Sequence, residues 1–404
     1  MSRSEGLSQW GQTVSRELPG LSRTQARVLA LWSFGMVLAQ SCGQSSVAAV
    51  LALLLGKRAN TVRQQLREWC YDGPDKRGQQ RSAVVVRSCF GPLLAWILRW
   101  WPAEERRLAL AMDASTLGER FTVLAVSVVY RGCALPVAWV VVTAHQQGSW
   151  RPHWEGLFSL LAPQVPADWT VIVLADRGLY ARWLFVHLQG LGWHPFLRIN
   201  QGGKVRPLGC GGFRPLQSLV PTVGTTWSGV VDCFVNPAGR LRCVLLAGWS
   251  APHADPWLVL TDLPPEAADV VWYSMRFWIE CGFKDTKRGG WHWEQTKMTD
   301  PARASRHWLA IAVATLWVVS VGGEADATLP VSNLEALPVL HVARRQPRRR
   351  GQPRLLSCFR HGVLCILVAL VDGRPLPLGR FIPESWPAQP PGVVTFHVPL
   401  QEAA

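Results

Sequence analysis

The sequence predicts a mixed α/β fold that follows an all-α N-terminal region and is interrupted by a β-rich insertion. Three observations carry this expectation. Apolar residues recur at helical spacing through the first quarter of the chain. Beyond Arg107, valine-rich runs of strand length alternate with helical segments. Residues 200–262 then turn rich in Gly and Pro, with short β-like pieces between them.

In chain order, residues 1–20 are polar and expected to be loosely ordered. Thr24–Gln40 and Ser45–Leu55 carry apolar helical patterns. The stretch Gly56-Lys57-Arg58-Ala59-Asn60 breaks the second, with Asn60 a suitable N-cap for a helix over Thr61–Cys70. That helix shows Arg63, Gln64, Gln65 and Arg67 on its polar side. A helix, a short Gly-containing turn and an Arg/Gln-rich helix are what a DNA-reading helix pair needs, and many plain helical hairpins share the pattern. Residues 72–78 form a turn-rich connector, and Phe90–Trp101 is a further apolar helix.

At Arg107 the texture changes. Leu108–Asp113 is a short apolar strand ending in an acid. Phe121–Tyr130 and Leu135–Thr143, divided by Arg131-Gly132, complete a meander. Trp150–Leu161 is expected to be a helix and Thr170–Asp176 a buried strand that again ends in an acid. Tyr180–Leu191 follows as a helix and His194–Ile199 as a strand. Strands in the insertion are expected at Gly229–Val235, Arg242–Gly248 and Trp257–Thr261. Trp308–Val321 is a core helix. Residues 323–404 are rich in Pro and Arg, with Arg344, Arg345, Arg348, Arg349, Arg350 and Arg354 close together as a solvated tail or a phosphate contact. The resulting divisions are 1–105 (helical), 106–200 (core, first part), 201–262 (insertion), 263–323 (core, second part) and 324–404 (basic).

Composition narrows the partners. In 404 residues, 42 Lys and Arg face 27 Asp and Glu, a net charge of +15. The balance favours a polyanion, and its spread along the chain favours nucleic acid over a membrane. With 49% hydrophobic residues the chain is expected to fold. Ten cysteines occur without a CxxC pair or zinc spacing, which argues for reduced thiols in a cytoplasm. The start, Met-Ser-Arg-Ser-Glu-Gly, carries no apolar signal segment. The apolar runs Trp308–Val321 and Gly362–Val371 are shorter than the roughly 17–25 residues that span a bilayer, so they read as buried elements.

The chemistry gathers around Tyr273, Arg276, Glu280 and Lys287. Their separations of three, four and seven residues hold them on one stripe of a helix about 21 Å long. A phenol, a guanidinium, a carboxylate and ammonium groups on one face suit a metal-assisted reaction at a phosphate, with Glu280 holding the metal while Tyr273, Arg276 and the lysines bind phosphate oxygens of DNA. The same stripe is equally a solvated face with an Arg276–Glu280 pair. Asp113 and Asp176 each end an apolar strand, where two acids can converge on a cation; each is also an ordinary turn starter.

Residue order decides between these readings. Tyr273, Arg276, Glu280 and Lys287 match, at every position, the motif of the insertion sequence 4 family of DDE transposases, which this chain resembles. Val173-Leu-Ala-Asp176-Arg177-Gly178 resembles the family's second-acid region, and Phe196-Leu-Arg198 the basic strand that follows it. The element order βββαβαβ is similar to that of ribonuclease-H-like folds. The resemblance implies a metal-binding triad of Asp113, Asp176 and Glu280, with Lys284 and Lys287 as cations on the phosphate side. Trp257 resembles the insertion Trp that stacks on a flipped base in some members, although with 22 tryptophans a structural role stays open. Two Mg²⁺ ions, with Mn²⁺ as a substitute, would serve DNA cleavage and strand transfer. The implied partners are double-stranded DNA, as transposon inverted-repeat ends and as target, and a second copy of the chain; no membrane partner is expected. The alternatives are a transposase-derived DNA-binding protein without cleavage, and a ribonuclease-H-like nuclease.

Overall fold

A computed structural model of the chain describes residues 3–77, 82–250, 253–327, 356–388 and 394–397. The arginine run from Arg344 to Arg354 lies outside the described residues. The chain begins with helices α1 (Arg3–Glu17), α2 (Arg23–Ala39), α3 (Gln44–Leu55), α4 (Ala59–Trp69) and α5 (Phe90–Leu98). Strands β1 (Arg107–Leu117), β2 (Phe121–Tyr130) and β3 (Cys133–Thr143) follow, then α6 (Arg151–Leu161), β4 (Thr170–Ala175), α7 (Arg182–Gly190) and β5 (His194–Arg198). This is the predicted order βββαβαβ, and the fold is mixed α/β, following a helical N-terminal region in the chain. The insertion supplies β6 (Lys204–Pro207), β7 (Arg214–Pro215), β8 (Thr225–Cys233), β9 (Leu241–Gly248) and β10 (Trp257–Thr261). A 3₁₀ helix at Val270–Phe277 leads into α8 (Trp278–Thr286), followed by α9 (Pro301–Ala325), α10 (Cys358–Val371) and β11 (Val394–His397).

The chain divides into two compact units. The first comprises Met1–Glu105, Ala114–Pro166 and Trp278–Glu384; the second comprises Arg106–Asp113, Ala167–Phe277 and Ser385–Ala404.

In the first unit the N-terminus departs from expectation. The polar text of residues 3–17 forms α1, because Trp10, Val14 and the following Leu18 recur every four residues and bury one face. Trp10 stacks on Trp317 at 4.4 Å, and its indole N–H donates to Ser33 Oγ at 2.9 Å. Helix α4 begins at Ala59, so Arg58 rather than Asn60 holds the N-cap position, without a side-chain cap. Strands β2 and β3 form a hairpin whose two turn residues, Arg131 and Gly132, have φ of 46° and 78°. Paired positive φ values match the twist of the flanking strands. Every residue of β2 is buried, and α5, α6, α8 and α9 pack on the hairpin. Helix α9 runs 25 residues, longer than predicted, and is apolar and long enough to cross a bilayer. Yet 89% of its most apolar window is buried inside the fold. Helix α10 lies so close to it that a methyl group at Gly322 would overlap the Cys358 carbonyl oxygen.

In the second unit the strand order is β1-β4-β5-β10-β9-β8-β6-β7, with β11 beside β8. Strands β1, β4 and β5 run parallel, and β10 joins β5 antiparallel. The insertion therefore continues the same sheet, and its edge strands are antiparallel. Apolar runs such as Val171–Ala175 are wholly buried, as expected for parallel strands.

Candidate active site

The parallel ladder between β1 and β4 runs from Arg107↔Thr170 to Ala111↔Leu174. Asp113 lies just beyond its last pair, and Asp176 directly follows β4. Strand β1 itself continues to Leu117, so Asp113 ends the pairing with β4 and not the strand, as its sequence had suggested. Both acids emerge where the buried ladder stops. Asp176 Oδ1 accepts the backbone N–H groups of Gly178 at 2.9 Å and Leu179 at 3.2 Å, a side-chain-closed turn that fixes the carboxylate. Its other oxygen, Oδ2, lies 3.3 Å from Arg276 Nη2. The same nitrogen donates to Asp113 Oδ2 at 2.7 Å.

One guanidinium nitrogen thus bridges two carboxylates. Arg276 is buried, whereas the Asp113 and Asp176 side chains keep 17% and 37% of their surface. Both carboxylates thus keep an edge towards solvent. An all-oxygen donor set of this kind suits a hard divalent cation.

Tyr273 and Arg276 stand on the 3₁₀ helix, and Glu280 and Lys284 on α8, so the single α-helical stripe expected from the sequence is split at Phe277/Trp278. In a 3₁₀ helix residues three apart eclipse, so Tyr273 and Arg276 keep one face. Tyr273 is buried, and its ring meets Trp257 edge-on at 5.4 Å and the Arg198 guanidinium at 5.9 Å. Burial pushes its phenol up to about 12. Trp257, the first residue of β10, also lies 4.4 Å from the His253 ring, so it is held by two aromatic neighbours. Arg198, the last residue of β5, pairs in register with Val259 of β10.

In the first unit Glu280 is exposed in the opening turn of α8, where a negative charge suits the helix dipole. Lys284 is exposed one turn later. Lys287 follows the helix, and its Nζ donates to Ser115 Oγ at 2.8 Å and to the Thr116 carbonyl at 2.6 Å. Burial lowers the pKa of this ammonium. Lys284, Lys287 and Arg288 share a cavity of about 410 Å³ with Thr116, Phe283 and Glu294. Arg63 and Arg67 are exposed on α4, whose opposite face buries Val62, Leu66 and Trp69. Arg67 covers the Tyr71 ring at 5.6 Å, and Arg303 approaches the same ring at 4.4 Å.

The structure therefore joins Asp113, Asp176 and Arg276 in one cluster, and Arg198, Trp257 and Tyr273 in another. Ser115, Thr116 and Arg288 were missed, since nothing in a lone Ser, Thr or Arg distinguishes it in sequence. Among the described residues no group of three or more His, Cys, Asp and Glu side chains is gathered as a metal cage.

The family model described as the transposase DDE domain matches residues 107–317, just over half of the chain. The chain belongs to that family. Among solved structures it is similar to a cryo-EM structure of the piggyBac transposase synaptic complex with hairpin DNA, at 12% identity and a TM-score of 0.40. That similarity covers 81% of this chain and 75% of the other. No curated protein matches.

Proposed function

We propose that this chain is the transposase of an insertion sequence of the insertion sequence 4 type, acting on double-stranded DNA by cut-and-paste. The observation that carries the reading is the convergence of Asp113 and Asp176, from the ends of one parallel ladder, on the Arg276 guanidinium. Glu280 is assigned as the third acid by the Tyr273–Arg276–Glu280–Lys287 sequence pattern alone. DDE transposases generally use divalent metal ions, and the oxygen donors here fit one. Asp113, Asp176 and Glu280 would hold Mg²⁺, or Mn²⁺ in its place, which supplies Lewis acidity at the attacked phosphate.

The chain's other residues bind and orient the DNA. Water adds to phosphorus at the transposon end, and the bond to the 3′ oxygen breaks; that oxygen leaves with a proton as a 3′-hydroxyl. This hydroxyl then attacks a phosphodiester of the target DNA and displaces its 3′ oxygen, joining the strands. Lys284 and Lys287 offer point charges to the phosphates beside the cut, while Arg276 sets the carboxylates. Arg198 and Trp257, ordered by Tyr273, offer a cation and a ring to the end of the duplex. On α4, Arg63 and Arg67 serve recognition of the inverted repeats. A homodimer would hold two ends together.

The test is cleavage of DNA flanking the gene, with Mg²⁺ present. Asp113→Asn, Asp176→Asn and Glu280→Gln should each abolish cleavage and leave DNA binding intact. Full cleavage by any one variant removes that residue from the triad. Binding without cleavage by the wild-type chain would favour a transposase-derived DNA-binding protein.

A further inference from the structure

The outer strands of the insertion carry a feature that the carboxylate cluster does not use. Arg206 on β6, Asp232 on β8 and Arg242 on β9 stand directly opposite one another in the registers Arg206↔Asp232 and Asp232↔Arg242. They form a cross-strand ladder on one face of the sheet. Asp232 Oδ2 accepts from Arg206 Nη2 at 2.7 Å, and Oδ1 accepts from Arg242 Nε at 3.0 Å. The two guanidiniums hold the Asp232 carboxyl below its ordinary range. Beside the ladder, Phe213 meets two guanidiniums, with Arg206 at 5.2 Å and Arg240 at 5.4 Å from its ring centre.

A structural ion pair needs one arginine for one buried aspartate, and here there are two. Lys204 lies two residues before Arg206 on β6, and alternation along that strand returns it to the same face. Arg240, just before β9, joins them through the Phe213 ring that it shares with Arg206. The face therefore presents four cations to one carboxylate. Asp232 is 8% exposed, while Arg206 and Arg242 keep 34% and 66% of their side-chain surface. The acid is the inner anchor and the cations are outermost. Asp232 and Phe213 also fix the guanidiniums, so the cost of ordering them falls on folding and not on binding.

We propose that this face, Lys204, Arg206, Arg240 and Arg242 around Phe213, docks the sugar-phosphate backbone of duplex DNA as a second contact, independent of base sequence. Planar guanidiniums held in a row match phosphate oxygens, and a four-to-one charge ratio calls for a polyanion. The inference rests on the DNA-processing role proposed above.

The test measures binding of the full chain to a fluorescent random-sequence duplex, several tens of base pairs long, across a salt series. One variant carries Arg206→Gln, Asp232→Asn and Arg242→Gln, so that no buried carboxylate is left unpaired. A second carries Lys204→Gln and Arg240→Gln and keeps the ladder. Melting curves establish that both fold. Each phosphate contact contributes about 0.9 to the slope of log affinity against log salt. Each variant should therefore lower the slope by up to about 2 and weaken binding by roughly tenfold or more at moderate salt. Arg16→Gln with Arg151→Gln, a control remote in sequence, should leave the slope unchanged. Wild-type slopes in both folded variants, with wild-type DNA binding intact, overturn this inference alone. Failure of the wild-type chain to bind DNA at all overturns the proposed function with it. Loss of binding only to anionic phospholipid vesicles, with the DNA slope unchanged, also refutes the proposal.

Discussion

Arg276 offers the most direct measurement of how the site is held. Its side chain is 10% exposed, and one nitrogen reaches Asp113 Oδ2 at 2.7 Å and Asp176 Oδ2 at 3.3 Å. Arg276→Ala leaves two neighbouring carboxylates without that counter-charge. Breaking a fully buried pair costs about 3–5 kcal/mol. The two carboxylates keep 17% and 37% of their surface, so water recovers part of the loss, and a cost of about 2 kcal/mol is expected. Removing Asp113 as well relieves the repulsion. The double variant Arg276→Ala with Asp113→Asn should therefore be less damaged than the sum of its parts, with a coupling of about 1–2 kcal/mol. Urea unfolding followed by tryptophan fluorescence measures all four corners of this cycle. A divalent cation replaces the missing charge, so Mg²⁺ should restore more stability to Arg276→Ala than it adds to the wild type. Additive costs, together with equal Mg²⁺ responses, would refute the bridging role.

Two further predictions follow from buried and exposed groups of the first unit. His307 is buried against Trp32, with its Nε2 3.0 Å from the Cys42 carbonyl, and burial lowers its pKa from 6.5 to about 4. The unfolded chain binds a proton that the folded chain refuses, so this stabilisation is complete above pH 6.5 and is lost as pH falls towards 4, by about 3 kcal/mol. His307→Gln should flatten urea midpoints across that interval, and an unchanged slope would assign acid sensitivity elsewhere. On α4, Arg63→Ala with Arg67→Ala should lower affinity for end DNA and reduce the salt slope by about 2. An unchanged footprint would move recognition to another part of the chain.

What the sequence could show depended on whether each interaction is local. The positions of Asp113 and Asp176 at the end of the buried ladder were legible because an acid after a run of buried apolar residues breaks the pattern. The true end of β1 was not, since the polar letters after Asp113 read as a turn and only pairing beyond the β4 ladder keeps them extended. The switch from 3₁₀ to α at Phe277/Trp278 was hidden because both geometries bring residues three apart onto one face. Helix α1 was missed for the opposite reason: its apolar face rests on few residues, chiefly Trp10 and Val14, within polar text. The ladder of Arg206, Asp232 and Arg242 is set by strand register between residues 26 and 10 positions apart, and register is not written in the local apolar pattern.

The insertion's place in the sheet explains why residues from three segments meet. Because β10 pairs with β5, Arg198 at the end of one strand and Trp257 at the start of the other come to the same sheet region. Tyr273 then packs against both. The sequence expectation made Tyr273 a phosphate donor, but a ring 5% exposed, with its phenol raised to about 12, is built to pack. Its neighbour three residues on, Arg276, spends its charge on two carboxylates. The first half of the motif thus shapes the acids and the Trp257 ring, whereas the exposed Glu280 and Lys284 lie in the half that faces solvent. The motif changes from 3₁₀ to α at Phe277/Trp278, so under the proposed function substitutions before Phe277 should disturb the packing of the acids and Trp257, and substitutions after it should disturb contact with DNA.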